Sequence, residues 1–298
     1  MDFSMLITGG NGFLGQHIGD FFHKNGFQIM SLGRTSLSEI ICDLSVNVPN
    51  IPKIDFVIHA AGKAHVVPKT IDEENDFFNV NYKGTINLCK GLENSGDLPK
   101  QFIFISSVAV YGVDEGENID ESHPLNGESP YAKSKIKAEN YLLHWAKKNN
   151  VVLTILRLPL IAGPNPPGNL GAMINGMKSG KYASIGKANA KKSVIWVEDI
   201  PKFILEVKGI GGIYNLTDNY HPTFRELELH ISRKFNKSKP FSVPLLIARS
   251  IALIGDLIGD KFPINSEKLK KITSTLTFKS EKAMNIPNWK PNQVLDKF

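Results

Sequence analysis

Tyr131 and Lys135 stand four residues apart in the stretch Pro130-Tyr131-Ala132-Lys133-Ser134-Lys135. On a helix that spacing puts both side chains on one face. An ammonium beside a phenol lowers the phenol's pKa from about 10 toward neutrality, so that tyrosine becomes usable as an acid and a base. The same lysine can hold the ribose of a nicotinamide. A hydroxyl to share the substrate oxygen is offered by Ser106 or Ser107, directly after the apolar run Phe102-Ile103-Phe104-Ile105. Sheets flanked by helices bind ligands at the carboxyl ends of their strands, where these serines fall. Singly, each group also reads as an exposed helix face or an ordinary strand-end serine. Together they read as proton handling at an alcohol or carbonyl oxygen.

A second constellation lies at the start of the chain. Gly9, Gly12 and Gly15 are three residues apart, with Phe13 and Leu14 between the last two, after an apolar strand and at the head of an amphipathic helix. In such a turn the first glycine permits the bend, the second lets the backbone approach a pyrophosphate, and the third lets helix and strand pack closely. The helix N-terminus adds free N–H groups and partial positive charge. A dinucleotide is the expected ligand. The next strand ends Ser31-Leu32-Gly33-Arg34-Thr35, without the acid that would accept hydrogen bonds from an unphosphorylated adenosine ribose. Arg34 supplies instead a guanidinium fork suited to a phosphate. NADP is therefore favoured, with NAD the alternative.

The elements that must carry these groups follow from short apolar runs alternating with helical periodicity. Strands are expected over 4–8, 27–32, 56–60, 101–106 and 151–156, and helices over 12–25, 79–93 and 131–148. Such alternation implies right-handed βαβ units and an α/β fold, a Rossmann-type doubly wound parallel sheet with a smaller C-terminal substrate-binding lobe. Residues 1–158 form the expected dinucleotide-binding domain. Residues 159–298 form mainly the lobe, with a strand near 213–216 returning to the sheet.

Composition bounds the function. The 298 residues carry a net charge of +6, and the basic residues are scattered apart from clusters at Lys191-Lys192 and Lys268 to Lys271. That suits an anionic ligand and a solvated basic surface; nucleic acid is not an expected partner. Cys42 and Cys89 form no CxxC pattern, which points to a reducing cytoplasm. Asp2 argues against a signal peptide. The apolar segment 243–258 is interrupted by Arg249 and Asp256 and falls short of the roughly 20 residues that a membrane span requires. It reads as a helix packed in the C-terminal lobe, with membrane-surface docking as the alternative. No histidine spacing suggests a metal site.

Taken jointly, the motifs resemble the extended short-chain dehydrogenase/reductase family, in its nucleotide-sugar epimerase/dehydratase branch. The resemblance rests on Thr8 to Gly15, Cys42-Asp43-Leu44, Asp55 to Ala61, Asn81 to Thr85, Ser106 to Gly112 and Tyr131 to Lys135. It implies that Ser107, rather than Ser106, is the catalytic serine, with Tyr131 the acid/base and Lys135 its partner. It also implies cofactor contacts from Asp43 and Leu44 toward the adenine, from Ala60, Ala61, Gly62 and Asn81, and from Pro159 near the nicotinamide. The segment Arg157 to Pro164 resembles a family stretch in which a tyrosine is usual, and Ala162 stands in its place. Asn169, opening a helix, and Lys192, where an arginine is common, are implied ligands of the substrate's diphosphate. His65 lies in a loop that resembles members acting on UDP-N-acetylhexosamines.

The resemblance implies hydride transfer at C4 of a nucleotide-linked sugar, with a UDP-sugar as partner and a homodimer left open. Gly33-Arg34 tilts the expectation toward an NADPH-dependent 4-keto reductase over a redox-neutral 4-epimerase that keeps NAD bound. A dehydratase of this branch would carry an acidic pair after the catalytic serine, where this chain has Val108-Ala109. A non-catalytic dinucleotide sensor on the same fold is the other class. Such relatives commonly lose the tyrosine or the lysine, and both are present here.

Overall fold

The computed structural model describes residues 4–64, 66–258 and 264–298, so Asp2 and His65 lie outside it. Its strands, rich in β-branched and aromatic residues, are β1 (Met5–Thr8), β2 (Ile29–Gly33), β3 (Ile40–Ile41), β4 (Phe56–His59), β5 (Gln101–Ser107), β6 (Gly116–Ile119), β7 (Val152–Leu158), β8 (Leu160–Ala162), β9 (Ala183–Ile185), β10 (Val194–Trp196), β11 (Gly212–Asn215), β12 (Phe241–Val243) and β13 (Leu276–Phe278). Seven of them make one parallel sheet in the order β11-β7-β5-β4-β1-β2-β3. The chain starts at β1, builds outward through β2 and β3, then crosses back to lay β4 on the other side of β1. Connections therefore diverge above the carboxyl ends of β1 and β4, which opens the crevice where such sheets hold ligands.

The helices are α1 (Phe13–Lys24), α2 (Ile71–Phe77), α3 (Gly84–Asn94), α4 (Pro130–Asn149), α5 (Gly168–Lys178), α6 (Asp199–Glu206), α7 (Phe224–Lys234), α8 (Leu245–Ile258), α9 (Ser266–Thr273) and α10 (Glu281–Met284). They cover both faces of the sheet. Ile18, Phe22, Phe203 and Trp289 pack on one side, and Leu88, Leu92, Leu142 and Trp145 on the other. A third core around Met173, Trp196, Leu227 and Ile231 lies beyond the sheet.

Two elements differ from expectation. The helix expected over 79–93 begins earlier: α2 is capped by Thr70, whose side chain accepts from Glu73 N–H, and it runs through a π-helical turn, Phe78–Lys83, into α3. Three acids in the first turn of α2 stabilise it against the helix dipole, although in sequence they resemble a solvated charge run. The helix α8 also forms, but it packs through Ala248, Ala252 and Gly255 and turns its large residues outward. The expectation that it is packed into the lobe fails on that face.

Candidate active site

The glycine turn leaves β1 at the crevice, and Gly9 and Gly15 are sterically required there, while Gly12 is tightly placed. Gly9 has a φ of +72°, and a Cβ there would lie 2.7 Å from the backbone of Ala61. A Cβ on Gly15 would stand 2.0 Å from the Gly9 carbonyl oxygen, and one on Gly12 would crowd the same atom. Gly12 caps α1 with no side-chain acceptor, which leaves the first-turn amides of Phe13 and Leu14 directed at the crevice. The cradle fits a pyrophosphate: close backbone approach, free donors and a helix dipole coincide.

Three further elements close the wall. Asn81 sits in the π-helical turn, buried, and acts as a bracket. It accepts from Lys63 N–H at 2.7 Å and donates to the Lys63 carbonyl at 3.1 Å and to Ser134 Oγ at 2.9 Å. Ser134 in turn donates to the Tyr131 carbonyl at 2.7 Å. The loop after β4 is thereby tied to the turn of α4 that carries Tyr131. A Cβ on Gly62 would touch both Asn81 Oδ1 and Lys135 Nζ, at 3.2 and 3.3 Å, so these groups converge on one point of backbone.

The helix α4 starts cleanly because Ser129 caps it and Pro130 occupies its first turn. It presents Tyr131, half-buried, to the end of β5, where the phenol comes under the influence of the Ser107 hydroxyl. Burial raises the phenol's pKa, and that hydroxyl opposes the rise. The lowering expected from Lys135 is not what sets it. Lys135 is buried, donates from Nζ to the Ile105 carbonyl at 2.9 Å and lies over the Phe104 ring. Burial pushes its ammonium down to about 8, against the charge of Glu139, which raises it.

Ser106 and Ser107 have separate surroundings. Ser106 Oγ donates to Glu139, one turn beyond Lys135, and is committed to the interior. Glu139 pairs with Arg157 of β7 at 2.7 Å, both buried, and Arg157 also donates to the Tyr111 hydroxyl at 3.1 Å. Ser107 remains at the mouth, its Oγ accepting from Ala109 N–H at 3.2 Å.

Sequence reasoning missed His59 as an organising group. It is fully buried at the end of β4, with Nδ1 2.6 Å from Thr8 Oγ1 and Nε2 2.9 Å from Thr85 Oγ1. Thr85 spends its proton on the Asn81 carbonyl, and Thr8 accepts from Ala61 N–H. With Thr85 donating elsewhere, Nε2 of His59 must carry a proton, and in the neutral ring Nδ1 then accepts from Thr8 Oγ1. Burial pushes its pKa down to about 3, with Lys135 adding to the effect. The unfolded chain takes up this proton near pH 6.5, the folded chain only near 3, so the stabilising difference is complete above 6.5 and is lost as pH falls. Urea titrations between pH 6.5 and 4 should show stability falling by about 1.4 kcal/mol per pH unit from this group, and His59→Gln should remove that component.

At the adenine end, Asp43 accepts from Ser45 N–H and Oγ at 2.9 and 2.6 Å. Those bonds hold its carboxyl below the usual range, with a smaller contribution from the charge of exposed Arg34. In the middle of β2, Ser31 donates its N–H to Glu39 at 2.8 Å and its Oγ to the same carboxylate. Toward the lobe, Asn169 is exposed in the first turn of α5, and Pro159 is half-buried between β7 and β8. Lys192 is half-buried; burial pushes it down to about 8 and Asp114 opposes the shift. Among the described residues neither Asn169 nor Lys192 bonds to Ser107, Tyr131 or Lys135.

Sheet order, glycine cradle and the Ser107–Tyr131 pair define a Rossmann-type fold of the dehydrogenase/reductase kind. The chain belongs to the NAD dependent epimerase/dehydratase family, whose model matches residues 5–216. It is similar to an N-acetyl-alpha-D-glucosaminyl-diphospho-ditrans,octacis-undecaprenol 4-epimerase of Escherichia coli O157:H7, 28% identical over 302 residues, covering 95% of this chain and 89% of that one. A UDP-glucose 4-epimerase of Vibrio cholerae is 25% identical, with 98% and 92% covered. The structure of the Thermus thermophilus UDP-glucose 4-epimerase in complex with NAD superimposes with a TM-score of 0.72 at 21% identity, covering 97% of this chain and 94% of that one.

Proposed function

We propose that the protein is an NAD-dependent 4-epimerase of an N-acetylhexosamine carried on a diphosphate, rather than the NADPH-dependent reductase that Arg34 suggests. The observation that carries a redox site is the convergence of Ser107, Tyr131 and the buried Lys135 at the carboxyl end of β5, beside the glycine cradle. The choice of epimerisation is supported by the two 4-epimerases that match nearly the whole chain. NAD as the cofactor is supported by the Thermus thermophilus 4-epimerase structure in complex with NAD.

In this reading Phe13 and Leu14 amides bind the pyrophosphate, Asp43 and Leu44 face the adenine, and Ala60 to Gly62 and Asn81 support the cofactor. Lys135 holds the nicotinamide ribose and Pro159 backs the ring. An oxidised nicotinamide, when bound, supplies the acceptor for the C4 hydrogen with its electron pair, and a positive charge that favours the phenolate. Tyr131 takes the proton of the C4 hydroxyl while Ser107 donates to the same oxygen. The 4-keto sugar turns over, C4 regains its hydrogen on the opposite face, and Tyr131 returns the proton to O4. Atoms and electrons balance with no net reductant. Asn169 and Lys192 bind the diphosphate and leave the sugar free to turn.

Purified protein incubated with UDP-GlcNAc and no added cofactor should yield UDP-GalNAc, followed by proton NMR. Absence of interconversion, together with oxidation of NADPH by UDP-4-keto-6-deoxy-GlcNAc, would establish the reductase instead.

A further inference from the structure

The helix α8 is built inside out for a soluble surface. Its small residues Ala248, Ala252 and Gly255 face the protein, while Leu246, Leu253 and Leu257 are 75%, 62% and 89% exposed, with Ile247, Ile254 and Ile258 beside them. Contiguous apolar surface of this kind marks an interaction site. The helix has 14 residues, about 21 Å of length at the usual rise, too short to cross a bilayer of about 30 Å. No helix among the described residues is long and apolar enough to cross. A helix of this length and surface lies within the headgroup boundary instead.

The flanking charge selects the occupant. Lys239, Arg249, Lys268 and Lys270 are exposed just before β12, on α8 itself and on α9. The carboxylates of the pair are already engaged: Asp256 accepts from Ser266 N–H at 2.9 Å, which pins α9 to α8, and Glu267 pairs with Lys271. An apolar helix ringed by cations complements an anionic lipid surface. A second copy of the chain would bring the same cations against themselves.

We propose that α8 docks the protein on an anionic membrane surface and there presents the active site to a hexosamine on a membrane-anchored polyprenyl diphosphate. The substrate half of this rests on the epimerase reading; the docking half does not. The two are joined through the fold. The end of α9 runs into Leu276, whose N–H donates to the Lys191 carbonyl at 3.0 Å, beside Lys192. At its other end, α8 follows β12, which pairs with β9 just beyond α5 and Asn169. The docking helix is thus linked through α9 and Leu276 to the segment that carries Lys192, and through β12 to β9, the strand that follows α5.

The full chain should float with vesicles of phosphatidylethanolamine and phosphatidylglycerol, and the Leu253→Asp, Leu257→Asp double variant should bind them about a hundredfold more weakly. Both positions are exposed, so turnover of UDP-GlcNAc in solution should be equal in the two proteins. On undecaprenyl-diphospho-GlcNAc embedded in those vesicles, the double variant should be at least about tenfold slower. Wild-type protein left unfloated, or a wild-type dimer that the double variant splits into monomers, would overturn the docking surface. Flotation without any turnover of UDP-GlcNAc would support docking and count against the epimerase reading, so the two failures are separable.

Discussion

Replacement of Tyr131 by phenylalanine should lower kcat by about a thousandfold and leave cofactor content unchanged. Phenylalanine keeps the ring and its edge contact with Phe77, 6.3 Å between centroids, so the start of α4 is not disturbed. What it removes is the phenol oxygen, on which the Ser107 hydroxyl acts. Among the groups gathered at the mouth, Tyr131 alone can both take and return a proton on the sugar oxygen: Lys135 is turned to the Ile105 carbonyl and Ser106 to Glu139. Turnover rate and nicotinamide per protomer should be measured on the same preparation. A variant within tenfold of wild type would mean that another group handles the proton, and a variant stripped of cofactor would mean that the phenol is chiefly structural. Ser107→Ala should cost less, because it removes a hydrogen bond to the oxygen and leaves the proton carrier in place.

The largest stability effect should come from Glu139→Ala, about 3–5 kcal/mol in urea unfolding. The side chain is fully buried, it pairs with Arg157, and it accepts the Ser106 hydroxyl. Its removal leaves a buried guanidinium with only the Tyr111 hydroxyl and the Glu121 carbonyl as partners. A loss of that size is a large part of the 5–15 kcal/mol that ordinarily holds a domain together. Glu139→Gln gives the sharper test of position, since it keeps the shape and deletes the charge. Glu139 raises Lys135, whose ammonium sits at about 8. Without that charge Lys135 should lose its proton at lower pH, and the alkaline limb of the kcat profile should move to lower pH with it. An unshifted limb in a folded Gln variant would separate Glu139 from the electrostatics of the site.

The sheet was readable from the chain because its strands are apolar runs buried on both faces, and the glycine turn because Gly9 and Gly15 leave no space for a Cβ. The strands β8, β9, β10, β12 and β13 were not readable. They have three residues each and pair only in twos, so too few residues carry the pattern. The bracket formed by Asn81 was legible only as part of a motif. Its partners, Lys63 and Ser134, come from distant positions that the π-helical turn brings together. Glu39 shows the limit most clearly. The chain after β2 folds it back onto Ser31, and reading along the strand cannot see a group that arrives from further along the chain. Likewise α8 has the apolar content of a packed helix; only the placement of Ala248, Ala252 and Gly255 shows that its packed face is the small one.

Epimerisation within a site that keeps its cofactor makes one demand that no reductase meets: the hydrogen leaving C4 must return to C4. UDP-GlcNAc carrying deuterium at C4 should be converted in ordinary water, with no added nicotinamide, to UDP-GalNAc that retains the deuterium at C4, as read by mass spectrometry and NMR. Product with protium at C4, or no conversion unless nicotinamide is added, would contradict a closed hydride cycle at Tyr131 and Ser107.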